Sequence, residues 1–380
     1  MKIPDVWCAS PWLAHYRQPV WDGIAAMQAN DYRFRVLGAL PQGRNVDIQD
    51  RDYLRPISHL GAPPWQMAKT EMRRLIEQER PAVIIQGANP RHKEGWEVPR
   101  LARRYGGIPV LWTKAYSYSN PMYGLRDWIK RRFYRGYEYA IVYSPMAATE
   151  MVACGMPRER IFVAWNTIDT RRIFEEGDRF AAGAGKLRET QGLGGKKILL
   201  DLGRMDPEKR HDDVLQAWPR LRQLDPALVL VLVGGGPLLE KYRGLAQEID
   251  PARIRVIGRV AEGEDYLWIA ASDITIQCGA VGLAINQSMA FGTPTVIADQ
   301  IGPDTELLVD GQTGWRYPQG DLDALVATVA AVMGDDTTRQ RITNQARCLV
   351  RDDVNIDNMV RNVDACIRAA LVQYHSKAGH

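Results

Sequence analysis

A loop of small residues and two cations are the groups in this chain best suited to bind an anion. Gly279–Leu283 leads into a predicted helix over Leu283–Phe291, and a helix that follows a glycine loop presents backbone N–H groups at its positive end. Arg204 and Lys209 follow a predicted strand that ends at Gly203, and both side chains suit a diphosphate. Taken alone, the loop is equally compatible with an ordinary turn of a parallel sheet. The two cations alone are equally compatible with solvated side chains on a surface loop. Together they predict a diphosphate site.

A second glycine segment, Gly234–Gly236, follows the apolar run Leu228–Val233. Glycine lets a backbone approach a ligand closely, but it equally permits a tight turn from a strand into a helix. Both interpretations stay open at this point.

Apolar runs alternate with amphipathic segments along the whole chain, which predicts parallel sheets covered by helices on both faces. In the first half the predicted strands are Val6–Ser10, Phe34–Leu40, Ala82–Gln86, Val110–Thr113, Tyr139–Tyr143 and Ile161–Ala164. In the second half they are Lys197–Leu202, Leu228–Val233, Ile254–Ile257, Ile274–Gln277 and Thr295–Ala298. The predicted fold class is therefore α/β, with two doubly wound Rossmann-like domains and a ligand cleft at the facing strand ends.

The composition changes between residues 165 and 185, where a turn-like segment precedes the small residues Ala181–Gly185, here interpreted as flexible. We therefore predict a first domain over residues 1–168 and a second over 169–355. Residues 356–380 are predicted to form a terminal helix.

The chain has 380 residues and a net charge of +4, unevenly distributed. Residues 1–165 carry 24 Lys and Arg against 15 Asp and Glu, a balance of +9, so this half is expected to meet an anionic partner. No nucleic-acid recognition motif accompanies the charge. Five scattered cysteines without a CxxC pair and an N-terminus without signal-peptide character predict a cytoplasmic protein.

Ordered motifs in the second half resemble the retaining glycosyltransferases of the GT-B fold, and are most similar to the large bacterial family 4. They are Gly203-Arg-x-x-x-x-Lys209, Val233-Gly-Gly-Gly-Pro-Leu238, Ile257-Gly-Arg-Val260, Val281-Gly-Leu283, Met289-Ala-Phe-Gly-Thr-Pro-Thr-Val296 and Asp310-Gly-Gln-Thr-Gly-Trp315. The first half matches more loosely, through His15–Val20 and Ile161–Asp169. The resemblance implies that the terminal helix crosses back to the first domain.

The resemblance also implies roles for individual residues. Arg204 and Lys209 would bind the donor diphosphate and stabilise the leaving group, while Gln287 would meet the ribose and the Arg259 backbone the base. The predicted donor side comprises Gly203, Arg259, Gly279, Val281, Gly282, Leu283, Gln287 and Glu306. Glu306 either hydrogen-bonds the donor or is simply a carboxylate near a helix start.

The chain departs from the family at three positions. Gly279 and Gln287 stand where the family has two glutamates, so the usual contacts to the donor sugar are altered. Lys114 stands near the place of a family histidine. On the acceptor side we predict His15, Arg17, Lys114 and Tyr116, with His15 alternatively only the start of a helix.

Residues 121–135 combine five cations with four aromatic side chains, the composition of a helix at an anionic membrane surface. This segment would suit an acceptor carried on a polyprenyl diphosphate at the inner face of the membrane. The alternative is a solvated basic helix whose aromatic residues lie in the core.

The predicted function is transfer of a sugar from a UDP- or GDP-sugar to a glycan or lipid-linked acceptor with retention, in surface polysaccharide synthesis. No bound cofactor is expected, and the lack of a carboxylate cluster or DxD motif predicts independence from metal. The alternatives are a sugar-nucleotide epimerase or hydrolase, and a protein that binds a sugar nucleotide without turnover. A weakened or inactive relative is a further alternative.

Overall fold

A computed structural model describes residues 3–39, 49–57, 69–91, 93–115, 125–261, 263–299 and 303–378. The chain divides into two compact units, Met1–Ile168 together with Ile356–His380, and Asp169–Asn355. Each unit contains one sheet whose named strands all pair in parallel, a seven-stranded sheet in the first and a six-stranded sheet in the second. The predicted class of two α/β units is confirmed.

The first unit has its strands in the order β3-β2-β1-β4-β5-β6-β7. These are β1 (Asp5–Trp12), β2 (Arg33–Ala39), β3 (Leu54–Pro56), β4 (Val83–Gly87), β5 (Ile108–Thr113), β6 (Tyr139–Val142) and β7 (Ile161–Val163). Its first helices are α1 (Gln18–Met27), α2 (Lys69–Glu79), α3 (Glu94–Arg104), α4 (Leu125–Tyr134) and α5 (Pro145–Ala153). The strand β3 has only three residues, too few to show an alternating pattern, and it was not predicted.

The second unit has the strand order β10-β9-β8-β11-β12-β13. These are β8 (Lys197–Leu202), β9 (Leu228–Val233), β10 (Ile254–Gly258), β11 (Ile274–Gln277), β12 (Thr295–Ala298) and β13 (Trp315–Tyr317). The helices are α6 (Arg171–Glu175), α7 (Gly177–Thr190), α8 (His211–Leu224), α9 (Leu239–Ile249), α10 (Glu264–Ala271), α11 (Ala284–Phe291), α12 (Pro303–Leu307), α13 (Leu322–Gly334) and α14 (Asp336–Asp352). All six residues of β9 are buried, as its uninterrupted apolar run requires in a covered parallel sheet.

The terminal helix α15 (Ile356–Ala378) belongs to the first unit, as the fold class implied. Its apolar face packs on α1, where a Cβ added to Gly23 would lie 2.6 Å from a Val360 methyl group. The buried Asp364 accepts a hydrogen bond from Tyr32 Oη at 2.7 Å. Arg368 forms an ion pair with Asp31 at 2.7 Å, so polar contacts flank the apolar one.

The interpretation of Ala181–Gly185 as a flexible segment is wrong, because these residues lie inside α7. Phe180 and Ala184 are buried, and Gly183 approaches α10 so closely that an added Cβ would lie 2.7 Å from Leu267 Cδ2. Gly183 and Ala184 therefore serve close packing of the helix, whereas Ala181, Ala182 and Gly185 are exposed. That packing depends on a partner about eighty residues later in the chain, which local composition does not reveal.

Candidate functional site

The strand order of the second unit reverses between β8 and β11, which lie side by side in the sheet. In open α/β sheets the crevice beyond the carboxyl ends of two such strands is where ligands bind. The loop after β8 carries Arg204 and Lys209, and the loop after β11 carries Gly279–Leu283. The topology therefore brings the two predicted anion-binding loops together.

The two loops are hydrogen-bonded to each other. The backbone N–H of Ala280 donates to the carbonyl of Glu208 at 2.8 Å. Lys209 Nζ donates to the carbonyl of Ala280 at 2.5 Å, so the ammonium group lies on the second loop. Lys209 is thus both a cation of the site and a link between its two walls.

Gly279 lies where the second loop touches the first. An added Cβ would lie 2.6 Å from the carbonyl oxygen of Lys209 and closer still to that of Glu208. Both are backbone atoms and cannot move aside as a flexible side chain can. The position that the family fills with glutamate therefore has no room for a side chain in this structure.

The ammonium group of Lys209 also approaches the start of α11. A Cβ added to Gly282 would lie 3.0 Å from Lys209 Nζ. The Gly282 N–H donates to Gln277 Oε1 at 3.3 Å, and no side chain caps the helix at Leu283. Val281, Gly282 and Leu283 are half-buried. The positive end of the helix and a cation therefore converge on one place, as an anion site requires.

Arg204 lies on the first loop with 60% of its side chain exposed. Its Nε donates to Asp206 Oδ2 at 2.6 Å. Burial by itself would raise the pKa of Asp206, but the hydrogen bond and charge of Arg204, with the charge of Lys209, lower it overall. Asp206 therefore stays ionised at neutral pH and holds Arg204. Asp206 was not among the residues predicted from the sequence.

The three glycines after β9 pack against the first loop. A Cβ added to Gly234, whose φ is +146°, would overlap the carbonyl oxygen of Gly203. The Met205 N–H donates to the carbonyl of Gly235 at 3.0 Å. Arg259 is exposed beside Gly235, with its Cβ 3.2 Å from where a Gly235 Cβ would be. The glycines therefore allow the backbone after β9 to contact the first loop, and their close approach to a ligand stays a prediction.

Gln287 is buried in α11 and its Nε2 donates to Asp265 Oδ2 at 3.0 Å. A glutamate at this position would put two carboxylates in contact, which disfavours ionisation of both. Gln287 is therefore hydrogen-bonded to a carboxylate on α10. The pair was not predicted from the sequence, because 22 residues separate the two partners. The ribose contact of Gln287 stays a prediction. Glu306 lies half-buried in the five-residue helix α12, and its two interpretations stay open.

A buried pair beneath the first loop was also missed. His211 Nδ1 lies 2.7 Å from Asp201 Oδ2, and its Nε2 lies 3.3 Å from the carbonyl oxygen of Arg204. Both partners are acceptors, so only the protonated imidazole donates to both. Burial would lower the pKa of His211, but the charge and hydrogen bond of Asp201 outweigh it and raise the pKa. The available signal was an aspartate inside the apolar strand β8.

The raised pKa of His211 predicts that the contribution of this pair to the free energy of unfolding declines as pH rises. A raised pKa in the folded state contributes stability that is fully present below the ordinary histidine pKa of about 6.5 and is lost as pH rises through the raised value. We expect the difference in free energy of unfolding between the native chain and His211→Gln to be larger at low than at high pH. Urea denaturation at a series of pH values, beginning below the ordinary histidine pKa of about 6.5 and rising from there, measures it. A constant difference would contradict protonation of His211.

On the first unit, the structure places the predicted acceptor residues after the strands. Arg17 is half-buried and follows β1, whereas His15 and Lys114 are exposed. Arg17 contacts the ring of Tyr143, which follows β6. Burial raises the pKa of Tyr143 overall, and the nearby charges of Arg17 and Lys114 oppose that rise. Arg17 and Lys114 thus share one edge of the sheet. Tyr116 lies outside the described residues.

The basic segment 121–135 includes α4, and residues 121–124 lie outside the described part. Phe133 and Tyr134 are buried, as expected for a basic helix whose aromatic residues lie in the core. Trp128, in contrast, is 61% exposed. Lys130 pairs with Glu150 and Arg131 with Asp127. Contact with a membrane surface stays a prediction.

None of the described helices has the length and apolar character that crossing a bilayer demands. Among the same residues, no three His, Cys, Asp or Glu side chains are grouped to hold a metal ion. The five cysteines are all free, and Cys348 is the exposed one.

Comparison with known proteins extends these observations. Residues 185–348 match the family model for group 1 glycosyl transferases, and residues 20–172 match that for glycosyltransferase family 4. The GDP-mannose-dependent alpha-(1-6)-phosphatidylinositol monomannoside mannosyltransferase of Mycolicibacterium smegmatis is 29% identical over 208 residues, which cover 52% of this chain and 50% of the relative. The chain spans about half the length of the curated relatives it matches.

Two solved structures are similar over nearly the whole chain. HepE from Anabaena, in complex with UDP, has a TM-score of 0.71 at 14% identity and covers 97% of this chain and 100% of its own. Sucrose-phosphate synthase from Thermosynechococcus elongatus has a TM-score of 0.72 at 15% identity, with coverage of 97% and 100%. At these identities the structural similarity shows the fold alone. With matches to both units and a fold shared over its length, the chain belongs to the family 4-like glycosyltransferases of the GT-B fold.

Proposed function

We propose that this chain transfers a sugar from a nucleoside-diphosphate sugar to a glycan or lipid-linked acceptor, with retention of the anomeric configuration. The observation that carries the proposal is the position of Lys209, whose ammonium group lies at the uncapped start of α11 beside Gly282. This place lies at the strand-order reversal of the second unit, between two hydrogen-bonded loops.

The site suits the departure of a nucleoside diphosphate. Negative charge grows on the leaving diphosphate as the bond to the sugar breaks, and fixed cations and amides placed there in advance stabilise it. Lys209 and the start of α11 are such groups, and Arg204 adds a guanidinium once the anion displaces Asp206. The proposal needs no metal ion, because protein groups supply the positive charge.

The compared proteins support a nucleotide donor without fixing the base. The mycobacterial relative is named as GDP-mannose-dependent, and HepE was crystallised with UDP. A role in surface polysaccharide assembly, at the inner face of the cytoplasmic membrane, suits a family 4-like transferase whose first half carries an excess of nine positive charges.

A thermal-shift screen against UDP, GDP and their sugar conjugates is the first test. A nucleotide at 100 times its Kd is expected to stabilise the protein by about 2.7 kcal/mol, a visible shift. No shift with any of these nucleotides would contradict the proposal.

Product analysis then separates the chemical alternatives. Transfer is expected only when an acceptor is present, with a product of the same anomeric configuration as the donor by NMR. Turnover of the donor alone would indicate an epimerase or hydrolase, and binding without turnover a sugar-nucleotide-binding protein. Loss of activity in EDTA and recovery with Mg²⁺ or Mn²⁺ would contradict independence from metal.

A further inference from the structure

Arg17 is a half-buried cation whose contacts in the described part of the chain are all with neutral groups. Its guanidinium donates to Asn166 Oδ1 at 2.5 Å and to Tyr143 Oη at 3.4 Å. It also contacts Met359 Sδ at 3.5 Å. Asn166 is itself buried, so the amide that holds the guanidinium is fixed in place.

The other half-buried arginines described in this unit have carboxylate partners. These pairs are Arg35 with Asp5 at 3.6 Å, Arg51 with Asp22 at 2.9 Å, Arg55 with Glu79 at 2.6 Å, Arg131 with Asp127 at 2.7 Å and Arg160 with Glu138 at 3.3 Å. Withdrawing a guanidinium from water is unfavourable unless a negative charge or several acceptors compensate it. The neutral surroundings of Arg17 therefore leave a positive charge that an added anion would balance.

The position of Arg17 favours a ligand over a purely structural role. It follows β1, and the strand order of the first unit reverses between β1 and β4, where ligands bind in open parallel sheets. The guanidinium also lies 5.4 Å from the centre of the Tyr143 ring and 5.5 Å from that of Tyr16, which orients it.

Two further groups at this edge can bind an anion. Tyr143 Oη accepts from Arg17, and its own proton is then available to an oxyanion; burial raises the pKa of Tyr143, so the hydroxyl keeps that proton at neutral pH. Lys114 follows β5 with an exposed side chain, and its charge acts on Tyr143. A guanidinium, a hydroxyl and an ammonium group are the donors that phosphate prefers.

We propose that Arg17, Tyr143 and Lys114 bind a phosphate group carried by the acceptor, so that the acceptor is a phosphorylated sugar or a lipid phosphate. This inference rests on the proposed function, since it assigns the substrate class of the same reaction. The phosphate anchors the acceptor through its charge, while the hydroxyl that receives the sugar lies elsewhere on the same molecule.

The test is calorimetric titration of the full chain with inorganic phosphate, with saturating UDP or GDP present to fill the donor site. We expect Arg17→Gln to weaken phosphate binding by at least about tenfold, the loss expected for one charge-assisted hydrogen bond, and Arg17→Lys to restore part of it. Lys114→Gln, at an exposed position, is expected to weaken binding without affecting folding. Arg33→Gln is the matched control, because Arg33 is already paired with Asp5. When Arg33 is removed, Asp5 still has Arg35 as a partner.

Equal phosphate binding by the native chain, Arg17→Gln and Lys114→Gln would overturn the inference, as would an absence of phosphate binding in a chain that binds the nucleotide. A chain that binds no nucleotide fails at the earlier screen, so the two failures are distinguishable. Glucose 1-phosphate and geranyl phosphate then identify the source of the phosphate. Tighter binding of the first indicates a phosphorylated sugar, and tighter binding of the second a lipid carrier.

Discussion

Replacing Lys209 by alanine is expected to lower kcat/KM for the nucleotide-sugar donor by about 10²–10³-fold, or about 3–4 kcal/mol of transition-state stabilisation. The ammonium group lies beside Gly282 at the start of α11, where the charge of a departing diphosphate would be placed. No other cation is hydrogen-bonded to the second loop in the described part of the chain, so removal leaves the helix start without a fixed positive charge.

The same substitution also removes the bond from Lys209 Nζ to the carbonyl of Ala280. The loops would still be joined by the bond from the Ala280 N–H to Glu208, so we expect folding to be retained. Lys209→Met keeps most of the aliphatic stem and separates loss of charge from loss of packing. Both variants are expected to lose activity to a similar extent.

Steady-state kinetics with the donor identified by the thermal-shift screen measures the effect. Lys197→Ala is a matched control, because Lys197 begins β8, at the other end of the strand from the site, and pairs with Asp225 at 2.7 Å. A loss of less than about fivefold for Lys209→Ala, which is about 1 kcal/mol, would contradict the proposed role of Lys209.

The sequence was sufficient to predict most strands of both sheets and the two loops, because these depend on local signals, whereas the three-residue strands β3 and β13 were not predicted. The apolar run Leu228–Val233 has the bounds of the observed β9. The predicted helix Leu283–Phe291 differs from α11 by one residue. Loops after adjacent parallel strands necessarily meet at one edge of the sheet, so Lys209 and Gly282 could be expected near one another.

Contacts between distant parts of the chain could not be predicted in this way. Asp265 and Gln287 lie on different helices, and nothing local to either marks the other as its partner. The same holds for the burial of α7 against α10, which depends on Gly183 and Leu267. Asp201 and His211 are closer in sequence, yet an apolar strand pattern gives no reason to pair its single aspartate with a histidine beyond the loop.

Replacing Gly279 by alanine is expected to destabilise the second unit by about 1–3 kcal/mol, the usual penalty for forcing a methyl group into a packed site. The new Cβ would overlap the Glu208 carbonyl oxygen and lie 2.6 Å from that of Lys209. The loop must then move away from these backbone atoms, which weakens the bond from Ala280 N–H to Glu208 and costs about 1 kcal/mol more.

Activity is expected to fall together with stability, because the same movement separates Lys209 from the start of α11. A glutamate at 279 carries the same Cβ, so restoring the residue expected from the family is predicted to impair this chain. Gly279 and Gln287 of this protein therefore suit the loop arrangement seen here, and a glutamate introduced at 279 alone does not fit it.

Urea denaturation and donor kinetics of three glycine variants separate this explanation from a general intolerance of the loop. Gly282→Ala meets only the flexible end of Lys209 at 3.0 Å, so it is expected to change stability little. Gly185→Ala lies in α7 with no atom within 4 Å of the new Cβ, and is expected to stabilise the helix by about 0.5–1 kcal/mol. If Gly279→Ala proved as stable as Gly282→Ala, the contact between the loops could not be the reason for glycine at 279.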